Sequence, residues 1–307
     1  MARKTDLMLT ALAPAIWGST YLTTTELLPD GYPLTVSVLR ALPAGLLLLL
    51  AVRQLPRGIW WLRVFVLGAL NFSVFWWLLF IAAYRLPGGV AATVGALQPL
   101  IVMLLARAFL GSRLRALSLG AAVAGIGGVA LLILTPRAAL DPIGLIAGLG
   151  GAVSMAAGTV FTRRWQPNVS PLTFTAWQLT AGGLLLVPAA LWLEPSLPTL
   201  TGANIVGLVH LGLIGAAATY ILWFRGIARL EPSAVAPLGF LSPVTAVVLG
   251  WVVLDQHLSP AQMIGMAIVL GSVWLGQHAQ RVASKEQGNS GMWRTIRCVT
   301  RFARAGA

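Results

Sequence analysis

The chain has a single cysteine, Cys298, which excludes an internal disulfide and a thiolate metal cluster. Charge is nearly as scarce: 9% of residues are Asp, Glu, Lys or Arg, and only 8 of them are acidic. The three histidines, His210, His257 and His278, are dispersed without metal-ligand spacing. No GxxxxGK[ST] phosphate loop occurs, so this chain is not expected to hydrolyse ATP. Without a converging nucleophile, base or metal set, an integral-membrane enzyme is disfavoured. No catalytic residue, metal site or cofactor is assigned.

What is abundant is apolar surface, 58% of the residues. That fraction points to the bilayer, not water, as the solvent. The net charge of +13 is spread in short Arg and Lys clusters between apolar runs and forms no continuous basic face. It therefore argues for membrane topology and against nucleic acid as a partner. Arg3 and Lys4 precede an apolar stretch like a signal peptide, but Pro14 interrupts it and the stretch runs on past Trp17 to Leu28, as an uncleaved first membrane helix would.

A membrane-crossing helix needs about 20 mostly apolar residues. Ten windows qualify: Asp6 to Leu28, Pro33 to Val52, Trp60 to Tyr84, Gly88 to Ala108, Arg115 to Leu134, Pro142 to Thr162, Pro171 to Leu193, Gly202 to Ile227, Ser233 to Leu254 and Pro260 to Gln280. With a cytoplasmic N-terminus, 18 basic residues fall on the inside and only Arg85 and Arg137 on the outside, with Arg40 inside a helix. Lys and Arg are retained on the cytoplasmic side, so both termini are expected there, in an inner (plasma) membrane of bacterial type.

The two halves resemble each other. RLPGGVAATVGALQP from Arg85 to Pro99 aligns without a gap with RLEPSAVAPLGFLSP from Arg229 to Pro243. Pro33-Leu34-Thr35 matches Pro171-Leu172-Thr173, Gly45 matches Gly183, and Gly120 falls opposite Gly265 after a one-residue slip. Five helices per half is an odd number, so the second half must enter the membrane from the opposite side. The expected fold is an all-α polytopic membrane protein of ten transmembrane helices, two inverted five-helix repeats around a central cavity. The repeats occupy residues 1–138 and 139–280, and 281–307 form a basic cytoplasmic tail. Inverted repeats recur in secondary transporters, with the substrate site near mid-membrane between the halves.

Trp17-Gly18-Ser19-Thr20, Arg40 followed by Ala44 and a Leu run, and the repeated helix ending in Gln98-Pro99 or Ser242-Pro243 resemble the EamA repeat of the drug/metabolite transporter superfamily. Leu254-Asp255-Gln256-His257-Leu258-Ser259-Pro260 is similar to that family's acidic residue followed by Leu-Ser or Leu-Thr. The resemblance runs from about Thr10 to Gln280, and within the superfamily it is to the YddG-type exporters. It implies export of amino acids, aromatic ones especially, and other small metabolites. The first half departs from the pattern: Gly111-Ser112-Arg113 stands where the family often has Glu after the fourth helix, leaving only Asp255 for that role.

Polar residues at membrane depth face an interior cavity or a partner helix. Arg40 is positioned either to clamp a substrate carboxylate or to pair with Glu26 on the first helix. Asn71, Gln98, Gln178, His210 and Ser242 suit a zwitterionic substrate or interhelical ties equally. Gln98 and Ser242 are repeat equivalents, each directly before a proline, and Pro99 and Pro243 are expected to interrupt their helices and free carbonyls toward a cavity. Aromatic residues crowd the third helix, at Phe72, Phe75, Trp76, Trp77 and Phe80, and the eighth, at Tyr220, Trp223 and Phe224. Facing a cavity they offer rigid walls for substrate rings; facing lipid they are ordinary packing, and Trp60 and Trp61 read as interfacial anchors. Trp17, Ser19 and Thr20 join the candidate lining.

Gly120, Ala124 and Gly128 in the fifth helix, and Gly144, Gly148 and Ala152 in the sixth, recur every four positions. Such faces let helices approach closely, between the halves by default or across a dimer as the alternative to a monomer. His210 is the one titrating group at mid-helix, which favours facilitated or weakly proton-linked export. A scaffold subunit would keep the spans without needing polar groups beside paired prolines, and stands as the alternative to a transporter.

Overall fold

The computed structural model describes residues 2–29, 31–85, 94–133, 141–255, 259–276 and 278–279. The 281–307 tail lies outside these, as do Asp30, Arg137, His257, Cys298 and the start of the predicted fourth span. Among the described residues every regular element is helical.

We number the helical rods in chain order. Rod α1 is Ala2–Trp17, resuming after Gly18 as Ser19–Leu27; Gly18 itself keeps right-handed helical angles, so the rod passes both Pro14 and Gly18. Rod α2 is Pro33–Val52, and α3 is Trp60–Gly68, a π segment Ala69–Ser73 and Val74–Arg85. Rod α4 is Gln98–Leu110, α5 Ala116–Ile133, α6 Pro142–Arg164 and α7 Pro171–Leu193. Rod α8 is Gly202–Val209, a π segment His210–Ala218 and Thr219–Arg229. Rod α9 is Pro232–Val253 with a 3-10 stretch Ala236–Phe240, and α10 is Pro260–Gly276. Six rods, α2, α3, α6, α7, α8 and α9, are long and apolar enough to cross a bilayer; α4, α5 and α10 are shorter apolar helices.

Local chemistry sets these limits. Proline opens α2, α6 and α7, where its missing N–H costs nothing. Asp141 caps α6 by accepting from Gly144 N at 2.7 Å, Ser170 caps α7 from Thr173 N at 3.0 Å, and Thr201 with Asn204 forms a capping box on α8. Arg53 and Gly111, both left-handed, end α2 and α4. Helix regularity breaks just before each repeated proline, as a turn at Ala96–Leu97 and as the 3-10 stretch on α9. Pro99 opens a helix instead of bending one in mid-course, so this part of the expectation shifts by a few residues.

The broadest helix contact joins α2 to α7. A Cβ on Gly45 would sit 2.5 Å from Thr180 N, and one on Gly183 2.8 Å from Leu42 Cβ, so only glycine lets the backbones meet there. The α2 start meets the α7 end, where Leu34 N donates to Glu194 Oε1 at 2.6 Å. The α2 end meets the α7 start, where Trp177 Nε1 donates to Gln54 O at 2.6 Å. The two helices that the repeat pairs therefore run antiparallel, as inverted halves require. Other contacts come in matched sets: α3 packs on α6 as α8 does on α1, and α3 on α7 as α8 does on α2.

Charges gather at the two ends. Asp6 pairs with Arg225 at 2.6 Å and Arg229 at 3.3 Å, Arg163 donates to the carbonyls of Ile227 and Ala228, and Arg164 to Phe109 O at 2.9 Å. At the other end Arg85 meets Asp141 at 3.7 Å. The flanks carry exposed apolar side chains such as Leu191 and Trp192, the surface that lipid solvates. Trp61 is exposed, while Trp60 is half-buried with the Arg63 guanidinium 5.0 Å from its ring. Gly128 packs on Gly265 and Val269 of α10, and Gly148 on Val94 and Ala82, so these small residues do join the halves; Gly120 meets nothing within 4 Å.

Candidate functional site

The main hydrophobic core lies where α1, α3 and α8 converge on α2 and α7, and it is aromatic. Phe72, Trp76, Tyr220, Trp223 and Phe224 are all buried within it. Phe72 lies 4.6 Å from Tyr220 and 5.4 Å from Trp76 between ring centroids, and Trp17 lies 5.0 Å from Tyr220 and 5.2 Å from Trp223. Spacing of three to four residues along α3 and α8 puts these rings on one face of each helix. The tilted and edge-on geometries are those that aromatic quadrupoles favour. In this conformation the rings pack on one another, and the expected central cavity is occupied by the cluster.

Polar groups border the cluster on one flank. Arg40 Nη2 donates to Gly215 O at 2.9 Å, and its guanidinium lies over the Trp76 ring, 5.2 Å from the centroid. Thr219 Oγ1 donates to the same carbonyl at 2.9 Å and accepts from Trp17 Nε1 at 2.9 Å. Gly215 belongs to the π segment of α8, whose wide turn leaves carbonyls available beyond the usual ladder. One turn earlier on α8, His210 Nε2 lies 3.0 Å from Ser19 Oγ, which in turn donates to Ile16 O at 2.7 Å. Trp223 Nε1 is buried and has no acceptor among the described residues. A charged fork, a hydroxyl and indole donors beside packed aromatic rings suit a small molecule with an anionic or polar head and an apolar body.

Several expected lining residues lie elsewhere. Asn71 and Gln178 are wholly buried and bonded to each other, Nδ2 to Oε1 at 2.8 Å, with Thr162 completing the tie between α3, α6 and α7. They tie these helices together, with Asn71 Oδ1 and Gln178 Nε2 left without a partner among the described residues. Trp77 is 44% exposed, because one residue along a helix turns the side chain by about 100° away from Trp76. The Arg40–Glu26 pair is also replaced: Glu26 is exposed and accepts from Thr25 Oγ1 at 3.3 Å, while Arg40 turns inward. Gln98 is half-buried and Pro99 buried in the first turn of α4; Ser242 and Pro243 are half-buried where α9 resumes as an α-helix after its 3-10 stretch. The Ser242 carbonyl supports Gly18, where a Cβ would come within 2.5 Å of it. Phe80 packs half-buried against the cluster, and Thr20 is half-buried beside Ser19. Sequence reasoning missed Gly215 and Thr219, whose only signal is their place in the second copy of the repeat.

Comparison with known proteins agrees with this architecture. The EamA-like transporter family matches the chain twice, over residues 5–134 and 142–276. Protein PecM of Dickeya dadantii (strain 3937) is 45% identical over 267 residues, spanning 86% of this chain and 90% of PecM. The uncharacterized inner membrane transporter YedA of Escherichia coli (strain K12) is 28% identical over 85% of this chain and 86% of its own. A solved crystal structure superposes with a TM-score of 0.78 at 22% identity, over 90% of this chain and 99% of the other, a likeness of fold. This is a family of transporters and not of enzymes. With two copies of the repeat in sequence and an antiparallel pair of equivalent helices in space, the chain belongs to the EamA-like transporter family.

Proposed function

We propose that this protein is a secondary transporter that exports amino acids, aromatic ones among them, and related small metabolites across the bacterial inner membrane by alternating access. Its halves, 1–138 and 139–280, each contribute five spans in opposite orientation, with both termini and the 281–307 tail in the cytoplasm, and it works as a monomer. The observation that carries this reading is the reciprocal glycine crossing of α2 and α7, with the aromatic cluster and Arg40 beside it. Two half-bundles whose broadest contact is this close crossing have an axis on which to rock, and rocking opens the cluster first to one side and then to the other. The packed rings fit a closed state of that cycle, before a substrate ring displaces a protein one.

The test is counterflow in proteoliposomes containing only this protein, with a panel of amino acids. Accelerated exchange that saturates with substrate is expected, and it fails on Trp76→Ala with Tyr220→Ala. A scaffold protein gives no flux above empty liposomes. In a Cys298→Ser background, cysteines introduced at Ser112 and Ser196 should label with an impermeant maleimide from the cytoplasmic and periplasmic faces respectively; the reverse pattern overturns the orientation.

A further inference from the structure

The two ends of the bundle are built on one plan. The Arg85/Arg229 match extends back without a gap along α3 and α8, pairing Ala82 with Gly226 and Ile81 with Arg225. The Pro33/Pro171 match, carried back along α1 and α6, pairs Thr10 with Gly148 and Asp6 with Gly144. In space these equivalents meet at opposite ends. Where α8 crosses α1, a Cβ on Gly226 would run into the Thr10 side chain; where α3 crosses α6, one on Gly148 would stand 3.5 Å from Ala82 Cβ. Three residues beyond each crossing the repeated arginine reaches a carboxylate at the start of the facing helix. Arg229 Nη1 lies 3.3 Å from Asp6 Oδ1, and Arg85 Nη1 lies 3.7 Å from Asp141 Oδ2. Each pair joins one half to the other, since α1 and α3 belong to the first copy of the repeat and α6 and α8 to the second.

The plan is carried out unequally. Asp6 stands four residues from Thr10, whereas Asp141 stands seven from Gly148, so Arg85 has roughly one more turn, about 5.4 Å, to span. The Asp6 side chain is 13% exposed and that of Asp141 35%. Arg225, in the place of Ile81, brings a second guanidinium to 2.6 Å from Asp6 Oδ1. Arg225 Nη1 is buried without an acceptor among the described residues, so Asp6 is what compensates that charge. Asp141, by contrast, also caps α6 through Gly144 N, and its partner Arg85 is about half exposed. An ion pair open to water contributes little, while breaking one that is largely desolvated strands a charge.

We propose that these are the two gates of one rocking motion, unequal by construction. Asp6 with Arg225 and Arg229 firmly closes the end where α1 begins, the cytoplasmic end in the orientation proposed above, and Arg85 with Asp141 closes the other end loosely. The resting protein therefore opens more often at the α3–α6 end, and parting Asp6 from its arginines is the harder half of the cycle. The proposal rests on the alternating-access reading and adds which end is favoured and which residues set the bias.

Thr10→Cys and Ala82→Cys, each in a Cys298→Ser background, place a buried thiol at either crossing. Labelling by a membrane-permeant maleimide in proteoliposomes of the full chain measures the opening of each end, whichever way the protein faces. Ala82→Cys should label at least about tenfold faster than Thr10→Cys. Asp6→Asn should speed Thr10→Cys labelling about tenfold without speeding Ala82→Cys, because breaking one gate does not populate the other open state. Arg225→Ile, which installs the residue of the first copy, should act in the same direction. The two substitutions change the local charge in opposite senses, so a like response excludes an effect on thiol ionisation. Asp6→Arg with Arg225→Asp rebuilds the pair and should slow Thr10→Cys again, and Arg85→Gln should change either rate less than about threefold. Equal rates at the two ends, or an Asp6→Asn variant that labels faster at both, overturns the gates. Saturable counterflow with Thr10→Cys labelling unmoved by Asp6→Asn and Arg225→Ile also overturns them, and leaves the transporter reading standing. The expected labelling pattern without counterflow of any compound in the amino-acid panel keeps the gates and removes amino-acid export.

Discussion

Glu194, at the end of α7, caps a helix in the other half of the protein. The N-cap position of α2, Tyr32, makes no side-chain cap. Instead the Glu194 carboxylate accepts from Leu34 N at 2.6 Å, Thr35 N at 2.7 Å and Thr35 Oγ1 at 2.6 Å. It satisfies two of the first-turn N–H groups and places negative charge at the positive end of the helix dipole. Loss of a cap costs about 1 kcal/mol, and a hydrogen bond to a charged acceptor is worth about 1.5–3 kcal/mol. Water at the helix end recovers part of this, which leaves about 2–3 kcal/mol for Glu194→Ala. Glu194→Gln keeps one acceptor oxygen but no charge, and about 1 kcal/mol is expected. Thr35→Val alone should cost about 1 kcal/mol and add less than fully to Glu194→Ala, since the two share a bond. Unfolding by sodium dodecyl sulfate in mixed micelles, followed by tryptophan fluorescence, measures all four. Glu194→Ala within 0.5 kcal/mol of wild type would refute the cross-half cap, and Glu194→Gln as damaging as Glu194→Ala would refute the role of its remaining oxygen.

Asn71→Ala strands the buried Gln178 amide and should destabilise by about 1–2 kcal/mol in the same titration, with counterflow per folded molecule unchanged; a selective loss of flux would return Asn71 to the site. Gly45→Val drives a side chain into the Thr180 backbone, 2.5 Å from its first carbon, so folded protein should be lost in size-exclusion chromatography, while Gly120→Ala, with open space around it, should be neutral. Asp6→Asn breaks the 2.6 Å pair with Arg225, both side chains less than a quarter exposed, and should cost about 2 kcal/mol. It should also speed cytoplasmic thiol labelling of Thr10→Cys where α1 rests on Gly226 of α8; unchanged labelling and stability would show that the pair holds nothing closed.

Much of the architecture was legible in the chain itself. Apolar runs of bilayer length, the punctuation between them and the skewed arginines follow from the energetics of lipid as a solvent, and those are local and additive along the sequence. The repeat was visible as well, and an odd number of spans per copy already implies inversion. What hydropathy does not encode is rotation about each helix axis. In water an apolar stripe marks the buried face, but in a bilayer both the lipid side and the protein side are apolar. Trp76 and Trp77 are thus indistinguishable on paper, yet one is buried under Arg40 and the other meets the outside. Asn71 and Gln178 read as well for a substrate as for each other. Arg40 chose a carbonyl on α8 over Glu26 on α1, and Glu194 an N-terminus in the opposite half, because the antiparallel α2–α7 crossing brought those distant backbones within hydrogen-bond reach. Side-chain direction and partner were decided by tertiary packing, since only there does an unpaired polar group in hydrocarbon find what satisfies it.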